Sequence, residues 1–294
     1  MKRFIAMVMA LVLAAGLLTY GCTGNIMGHE FNRLFPEEPV SRGSEGKPLS
    51  GKTVVCMGDS IIGMNRTGTS VTAYLARQTG ATVYNVGFGG TRMSVHPQEG
   101  RGAFSLYMLA DAIVSRDWSR QEREAPLGSR YYPAQLQTLR QIDFSEADIL
   151  ILHYGTNDFT ADPGIQPDDP DAPMDWHTTA GALRCSIRLL REAYPDLRIY
   201  VSLPLYRYWP KEKEYAESCR NVLGRTLPEY GQAIALAAEE WDVAVIDGYH
   251  DMGMDRGNVS KLTLDGVHLS RAGRRQFARL LGQHMISEQP SKTE

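Results

Sequence analysis

The sequence is poor in the patterns that mark metal-binding, disulfide-rich and nucleic-acid-binding proteins. Its 4 cysteines include no C-x-x-C pair, so neither a zinc site nor a dense disulfide framework is indicated, and whether Cys185 and Cys219 pair is left open. His96, His153 and His177 lack metal-ligand spacing. The formal net charge of −3 gives no electrostatic reason to expect nucleic acid. We therefore expect no metal, no cofactor and no nucleic-acid partner.

Long apolar runs are also missing, apart from one at the N-terminus. There, two basic residues precede Ile5 to Leu18, a run too short for a comfortable membrane span. A charged start, a short apolar centre and small residues afterwards predict a signal peptide over residues 1–21. The end of this segment resembles a bacterial lipobox with Cys22 as the acylated residue, although Thr19 stands where leucine is usual. We expect an exported protein, either anchored through Cys22 or simply secreted or periplasmic.

The remaining chain reads as one domain without internal repeats. Residues 22–50 are rich in glycine, proline, serine and charge and show no sustained period, which predicts a flexible tether. The apolar content of 43% and the charged content of 22% are ordinary for a globular protein. We assign the domain to residues 51–287 and a short tail to residues 288–294. The sequence does not indicate an oligomeric state.

Apolar strand patterns alternate with helical patterns along this domain. The predicted strands cover residues 53–57, 82–86, 148–153, 198–203 and 242–247. Between them, apolar residues recur at helical spacing, as Leu183, Ile187, Leu190 and Tyr194 do. Strands that alternate with helices favour a parallel sheet between two helical layers. The predicted fold is therefore a three-layer α/β/α domain with a mostly parallel, five-stranded sheet.

The first strand of this sheet leads directly into a serine. Residues 53–57 are mostly apolar and β-favouring, and Gly58-Asp59-Ser60 follows them. A short apolar run that ends at glycine indicates a buried strand with an abrupt end. In an open parallel sheet, ligands bind in the crevice beyond the carboxyl ends of the strands. We therefore predict that Ser60 is a nucleophile; the alternative is that Asp59 or Ser60 only caps a helix.

Four polar blocks follow strands at this end of the sheet. They are Gly58-Asp59-Ser60, Asn85-x-Gly87-x-Gly89-Gly90, Gly155-Thr156-Asn157-Asp158 and Asp265-Gly266-Val267-His268. In these blocks and in their order, the chain resembles the SGNH (GDSL-type) hydrolase family. The resemblance spans nearly the whole domain and implies a flavodoxin-like α/β/α fold.

The resemblance also implies a role for each block. Ser60 is a weak nucleophile alone, and His268 is the base that takes its proton. Asp265 fixes the tautomer of His268. The family assigns the oxyanion hole to the backbone N–H groups of Ser60 and Gly90 and to the side-chain amide of Asn157. The expected reaction passes through an acyl-Ser60 intermediate, with water as the final acceptor.

A second D-G-x-H pattern competes with the first. Asp247-Gly248-Tyr249-His250 also follows the fifth strand, so spacing alone does not choose between His250 and His268. We favour His268 because Ser270 is a natural N-cap for the last amphipathic helix, and the family's histidine stands just ahead of that helix. The G-x-S-x-G elbow of α/β-hydrolases fits less well, since Gly63 comes one position late.

Some residues have a weaker claim on the site. Arg92 either contacts an anionic substrate or pairs with a carboxylate. Tyr206, Tyr208 and Trp209 either line a substrate pocket or pack in the core. The aspartates of residues 162–175 match no EF-hand spacing, so an active-site loop is favoured over a calcium site.

These patterns predict a serine esterase that acts on a small-molecule or glycan ester. Export and the aromatic residues favour removal of O-acetyl groups from carbohydrate. One alternative is a lysophospholipase or short-acyl lipid esterase, and acyl transfer to a sugar would use the same residues. Another is a non-catalytic, glycan-binding lipoprotein. In each case we expect the protein to touch the membrane only through a possible N-terminal lipid anchor.

Overall fold

The computed structural model describes residues 39–98, 100–161, 163–167 and 173–288. Its strands are β1 (Val40–Ser41), β2 (Thr53–Gly58), β3 (Thr82–Gly87), β4 (Ile149–His153), β5 (Arg198–Ser202), β6 (Tyr208–Trp209), β7 (Glu214–Tyr215) and β8 (Ala244–Ile246). Its α-helices are α1 (Ser60–Gly63), α2 (Val71–Thr79), α3 (Leu106–Ser115), α4 (Ser119–Glu124), α5 (Tyr132–Arg140), α6 (Thr156–Ala161), α7 (Thr179–Ala193), α8 (Leu227–Glu239), α9 (Val259–Leu262) and α10 (Arg271–Ser287). Within these residues, no helix has both the length and the apolar character needed to cross a bilayer.

The main sheet has six strands in the order β1-β3-β2-β4-β5-β8. All of its pairings are parallel except that of β1 with β3. The predicted mostly parallel sheet between helices is confirmed, and the short antiparallel edge strand β1 adds a sixth strand to the five predicted. Without β1, the strands follow the order of flavodoxin-like doubly wound sheets.

Alternate residues of the central strands enter separate cores on the two faces of the sheet. Val55 and Met57 of β2 pack in one core with α3, α5 and α7. Val54 and Cys56 pack in the other core with α2 and α10. Side chains of a strand point alternately to opposite faces, so β2 is apolar throughout because helices cover it on both sides.

The predicted tether extends too far into the domain. Val40 and Ser41 pair with Tyr84 and Val83 of β3. Leu49 is buried, and its backbone N–H donates to the Thr79 carbonyl at 2.8 Å. Residues 39–50 therefore belong to the folded domain, and the first part of the predicted tether lies outside the described residues. A two-residue strand shows no period in a glycine- and serine-rich segment, and this explains the error.

The strand order places a crevice between the carboxyl ends of β2 and β4. The chain runs from β2 to β3 on one side and then crosses to β4 on the other. Such a switch in strand order opens a crevice where ligands bind in doubly wound sheets. Ser60 follows β2 and Asn157 follows β4, so both residues border this crevice.

Candidate active site

Ser60 is the first residue of α1, directly beyond the end of β2. The Asp59 side chain provides the cap, since its Oδ1 accepts a hydrogen bond from the Ile61 N–H at 2.8 Å. A Cβ at Gly58 would lie 2.7 Å from the His153 carbonyl oxygen, so the strand end requires glycine. The capping alternative therefore applies to Asp59, and the Ser60 hydroxyl is left for another partner.

That partner is His268. The His268 Nε2 atom lies 3.0 Å from the Ser60 Oγ, and its Nδ1 lies 2.7 Å from the Asp265 Oδ2. Burial alone would raise the pKa of Asp265, but hydrogen bonds from the His268 ring and from the backbone N–H groups of His268 and Val267 outweigh it and lower the pKa to about 2. The ionised carboxylate keeps the proton on Nδ1, so Nε2 faces the serine hydroxyl as an acceptor.

The turn that carries Asp265 and His268 is supported by the β6–β7 hairpin. The Tyr208 N–H donates to the Gly266 carbonyl at 2.9 Å. Gly266 has a φ of +91°, and a Cβ there would lie 2.2 Å from the Tyr208 carbonyl oxygen. Ser270 caps α10 by accepting from the Gly273 N–H at 3.2 Å, as the sequence predicts. The turn is therefore held on both sides.

The second D-G-x-H segment folds in the same local way. His250 Nδ1 lies 2.7 Å from the Asp247 Oδ2, and the His250 N–H donates to Asp247 Oδ1 at 3.1 Å. The His250 side chain, however, is 73% exposed and packs against the Tyr249 ring. Only the His268 pair is hydrogen-bonded to Ser60 within the described part of the chain.

The turn after β3 lies against Ser60. A Cβ on Gly89 would lie 3.6 Å from the Ser60 Cβ. Gly90 has a φ of +83°, a conformation that favours glycine. The Asn157 Nδ2 donates to the Thr91 carbonyl at 2.9 Å, which fixes the amide and leaves its second N–H free for another acceptor. The structure thus brings the three predicted oxyanion donors to one border of the crevice.

The carboxylate of Asp158, the residue after Asn157, holds the turn after β3 in place. This carboxylate accepts from the Met93 N–H at 3.0 Å and from the N–H and hydroxyl of Ser94 at 3.2 and 3.0 Å. Asp158 is fully buried. In the sequence, Asp158 stands in the Gly155-Thr156-Asn157-Asp158 block without an assigned role. Its contacts fix residues 91–94 relative to α6, and with them the position of Gly90.

Arg207 is another residue that sequence analysis missed. Its Nη1 donates to the Thr156 Oγ1 at 2.7 Å, and its guanidinium lies 4.1 Å from the centre of the Trp209 ring. Burial lowers the pKa of Arg207 to about 10, although the carboxylates of Asp265 and Asp59 oppose this shift. Arg207 therefore places a positive charge near the Asp265 carboxylate. In the sequence, only its position between Tyr206 and Tyr208 marked it.

Two of the four predicted pocket residues are buried. Arg92 is 4% exposed and donates to the Val95 carbonyl at 3.1 Å, and the charge of the Asp158 carboxylate acts on it. Its burial argues against the predicted contact with an anionic substrate. Tyr206 is 7% exposed and packs between Tyr215 and Tyr249, so of its two predicted roles the structure favours core packing over lining a substrate pocket.

The other two aromatic residues of that segment are half-buried. Tyr208 packs against Tyr215, with ring centres 4.8 Å apart, and Trp209 packs against Phe159. Any contact of these rings with substrate stays a prediction. A small cavity, with room for about one water, lies nearby and is lined in part by Ile61, Arg207 and Val267.

The described residues include no cluster of three or more histidine, cysteine or acidic side chains suited to a metal. His153 donates to or accepts from Ser202 in the core, and burial lowers its pKa to about 4. Cys56, Cys185 and Cys219 are unpaired thiols. Cys22 and part of the aspartate-rich segment lie outside the described residues.

The raised pKa of Asp59 can be tested by measuring how the free energy of unfolding depends on pH. Asp59 is fully buried, and this burial raises its pKa from an ordinary 3.8 to about 7. The folded chain therefore binds more protons than the unfolded chain between roughly pH 4 and pH 7, and its stability falls as the pH rises through that range.

We expect Asp59→Asn to remove this pH dependence. Asparagine keeps the oxygen that caps α1 but carries no charge. The free energy of unfolding of the variant, relative to wild type, should rise by up to about 4 kcal/mol between pH 4 and pH 8. Urea unfolding at both pH values measures this change, and any constant cost of the new amide cancels. A difference that is equal at the two pH values would contradict the prediction.

Comparisons with known proteins place this geometry in context. The GDSL-like lipase/acylhydrolase family model matches residues 56–276. Est24, a carbohydrate acetylesterase from Sinorhizobium meliloti, is 16% identical with a TM-score of 0.51, covering 80% of this chain and 99% of Est24. An M. smegmatis aryl esterase is 17% identical with a TM-score of 0.51, covering 81% of this chain and 99% of its own. A Lactobacillus plantarum protein is 20% identical with a TM-score of 0.56, and the match covers 82% of this chain and 99% of that protein. A search of curated proteins gave no match.

Proposed function

Because the chain belongs to the GDSL-like lipase/acylhydrolase family, we propose that it is a serine esterase that removes O-acetyl groups from carbohydrate. The observation that carries the proposal is the continuous hydrogen-bonded chain from Ser60 Oγ through His268 to Asp265. A nucleophile, a base and an orienting carboxylate within hydrogen-bond reach are what acyl transfer by serine requires.

The proposed reaction begins with proton transfer from the Ser60 hydroxyl to His268 Nε2. The Ser60 oxygen attacks the ester carbonyl, and the negative charge on the carbonyl oxygen is stabilised by the N–H groups of Ser60, Gly90 and Asn157. The bond to the alcohol then breaks, and His268 returns the proton to the departing alcohol oxygen. Water attacks the acyl-Ser60 with His268 again as base, which releases the acid and restores the serine.

Acetyl as the acyl group is supported by a structural relative and by the expected export. Est24 is a carbohydrate acetylesterase, so a fold like this one accommodates such a reaction. Export, supported by the sequence of residues 1–22 alone, would place the enzyme where extracellular or periplasmic glycans occur.

A second candidate, an esterase for short-acyl lipids, is favoured by one observation. Leu264, the neighbour of Asp265, is 66% exposed, and an exposed apolar side chain beside a site suits an apolar substrate. Released acid should be measured for acetylated oligosaccharides and for glycerol esters of short and long acyl chains. Faster turnover of the glycerol esters would replace the carbohydrate proposal with the lipid one.

A fluorophosphonate probe tests the chemistry independently of substrate. The full chain should be labelled, and the Ser60→Ala variant should not. Circular dichroism must show that both are folded. If folded wild type is not labelled, the chain is better described as a non-catalytic binding protein that retains the fold.

Removal of the Asn157 amide should impair the reaction strongly. We expect Asn157→Ala to lower kcat by about 10²- to 10³-fold with a smaller change in KM, as for other oxyanion-hole donors. Asn221→Ala is a matched control, because that amide donates to the Phe159 carbonyl and has no proposed role in catalysis. Steady-state kinetics with 4-nitrophenyl acetate measures both. Equal kcat values for Asn157→Ala and Asn221→Ala would contradict the assignment.

A further inference from the structure

The guanidinium of Arg101 lies beside the oxyanion turn. A Cβ on Gly90 would lie 3.4 Å from the Cζ and Nη1 atoms of Arg101 and 3.7 Å from its Nε. The charge of Arg101 also acts on Tyr132, where it opposes the rise in pKa that burial causes. The Tyr132 hydroxyl in turn donates to the Gly89 carbonyl at 2.8 Å. The distance of the Arg101 guanidinium from Gly90 and its effect on the pKa of Tyr132 therefore both place it beside residues 89–90.

The backbone that carries Arg101 is fixed by a buried carboxylate. Glu124 is 6% exposed, and its Oε2 accepts from the N–H groups of Gly100 and Ala103 at 3.1 and 3.2 Å. These residues flank Arg101 on both sides. Gly100 has a φ of +77°, so the turn before Arg101 also favours glycine. Helix α4, which ends at Glu124, thus fixes the backbone from which the Arg101 side chain extends.

The side chain itself is exposed, and its guanidinium donates no hydrogen bond to any described residue. The neighbouring arginines differ, because Arg92 donates to Val95 and Arg207 donates to Thr156. Burial, and then the charges of Arg92 and Arg101, lower the pKa of His96 to about 4, so both arginines contribute positive charge near His96. A guanidinium that donates to none of the described residues and extends from a fixed backbone is suited to bind a carboxylate or phosphate in bidentate geometry.

We propose that Arg101 binds an anionic group on the alcohol part of the ester, so that the preferred substrate is an O-acetylated acidic carbohydrate. This inference rests on the acetylesterase function proposed above. An acetyl group carries no charge, and the anion must therefore belong to the alcohol. A uronate carboxylate and a sugar phosphate share the required chemistry.

A matched pair of model esters isolates the charge. The carboxylate of 4-acetoxybenzoate is replaced in 4-acetoxybenzamide by a neutral group of similar shape. We expect Arg101→Gln to lower the ratio of kcat/KM values, anionic over neutral, by about 10- to 100-fold, the range for hydrogen bonds to charged groups. Arg101→Lys should keep part of the preference, because lysine retains the charge without the planar fork. High salt should weaken the preference of wild type.

The control variant is Arg279→Gln, which removes an exposed arginine on α10. Its ratio of kcat/KM values, anionic ester over neutral ester, should equal that of wild type. An Arg101→Gln ratio within about twofold of wild type, less than the effect expected of a lost charged hydrogen bond, would overturn the proposal. Acetylated glucose, glucuronate and glucose phosphate then distinguish the sources of the anion. Faster acetate release from either acidic sugar than from glucose supports the proposal, and equal rates for all three overturn it.

A binding measurement separates this inference from the proposed function. If wild type and Ser60→Ala release acetate equally slowly from the neutral ester, the esterase proposal fails. Binding of acetylated glucuronate to Ser60→Ala, followed by NMR titration, still decides the role of Arg101. A Kd that rises about 10-fold or more in the Ser60→Ala/Arg101→Gln double variant supports the role, and an unchanged Kd overturns it.

Discussion

Replacing Ser60 by alanine is expected to lower kcat by about 10⁴- to 10⁶-fold, with little change in KM, by analogy with other serine hydrolases. The Ser60 oxygen is the atom proposed to form the bond to the acyl group, and no neighbouring group in the described site can replace it. The residual rate should come from oxyanion stabilisation and binding alone. Acetate release from the full chain measures the effect.

The structure offers a sharp control for this variant. Ser202 also lies beside a histidine, with its Oγ 3.1 Å from the His153 Nδ1, but both residues are buried in the core. Ser202→Ala should change kcat by less than about threefold, because substrate does not reach it. If Ser202→Ala abolished activity and Ser60→Ala did not, the nucleophile would be wrongly assigned.

The second large effect is expected at His268 and not at His250. We expect His268→Ala to lower kcat by about 10⁴- to 10⁶-fold, because the serine then lacks a base and the departing alcohol lacks an acid. His250→Ala should leave kcat within about twofold of wild type, since a surface substitution away from the site has little effect.

These two histidines make a matched pair, because each forms the same local contact with an aspartate three residues before it. Any general effect of breaking an aspartate–histidine turn is therefore present in both variants. Steady-state kinetics and urea unfolding of the two variants separate loss of activity from loss of stability. Loss of activity in His250→Ala with retention in His268→Ala would transfer the proposed base to His250.

Much of the fold was accessible from the sequence because its signals are local. The apolar runs before Ser60 and Asn157 predict buried strands, and glycine marks where each run ends. The edge strand at Val40–Ser41 has no such signal, since two residues show no period and only their pairing with β3 orders them. The role of Tyr206 was left open for a related reason: a position after a strand does not reveal whether a ring faces the crevice or the core.

The features of the site likewise divide into those that depend on local sequence and those that depend on long-range contacts. Gly58-Asp59-Ser60 and the D-G-x-H turns are determined by the sequence itself, because their contacts join residues two or three positions apart. The choice between His268 and His250 depends on a contact across 208 positions, that of His268 with Ser60. Likewise, Arg101 is an ordinary exposed arginine until the fold brings it to Gly90. The sequence by itself determined the reactive groups and their local geometry, and the tertiary structure decided which of them meet, because only packing of the sheet and helices brings distant residues into contact.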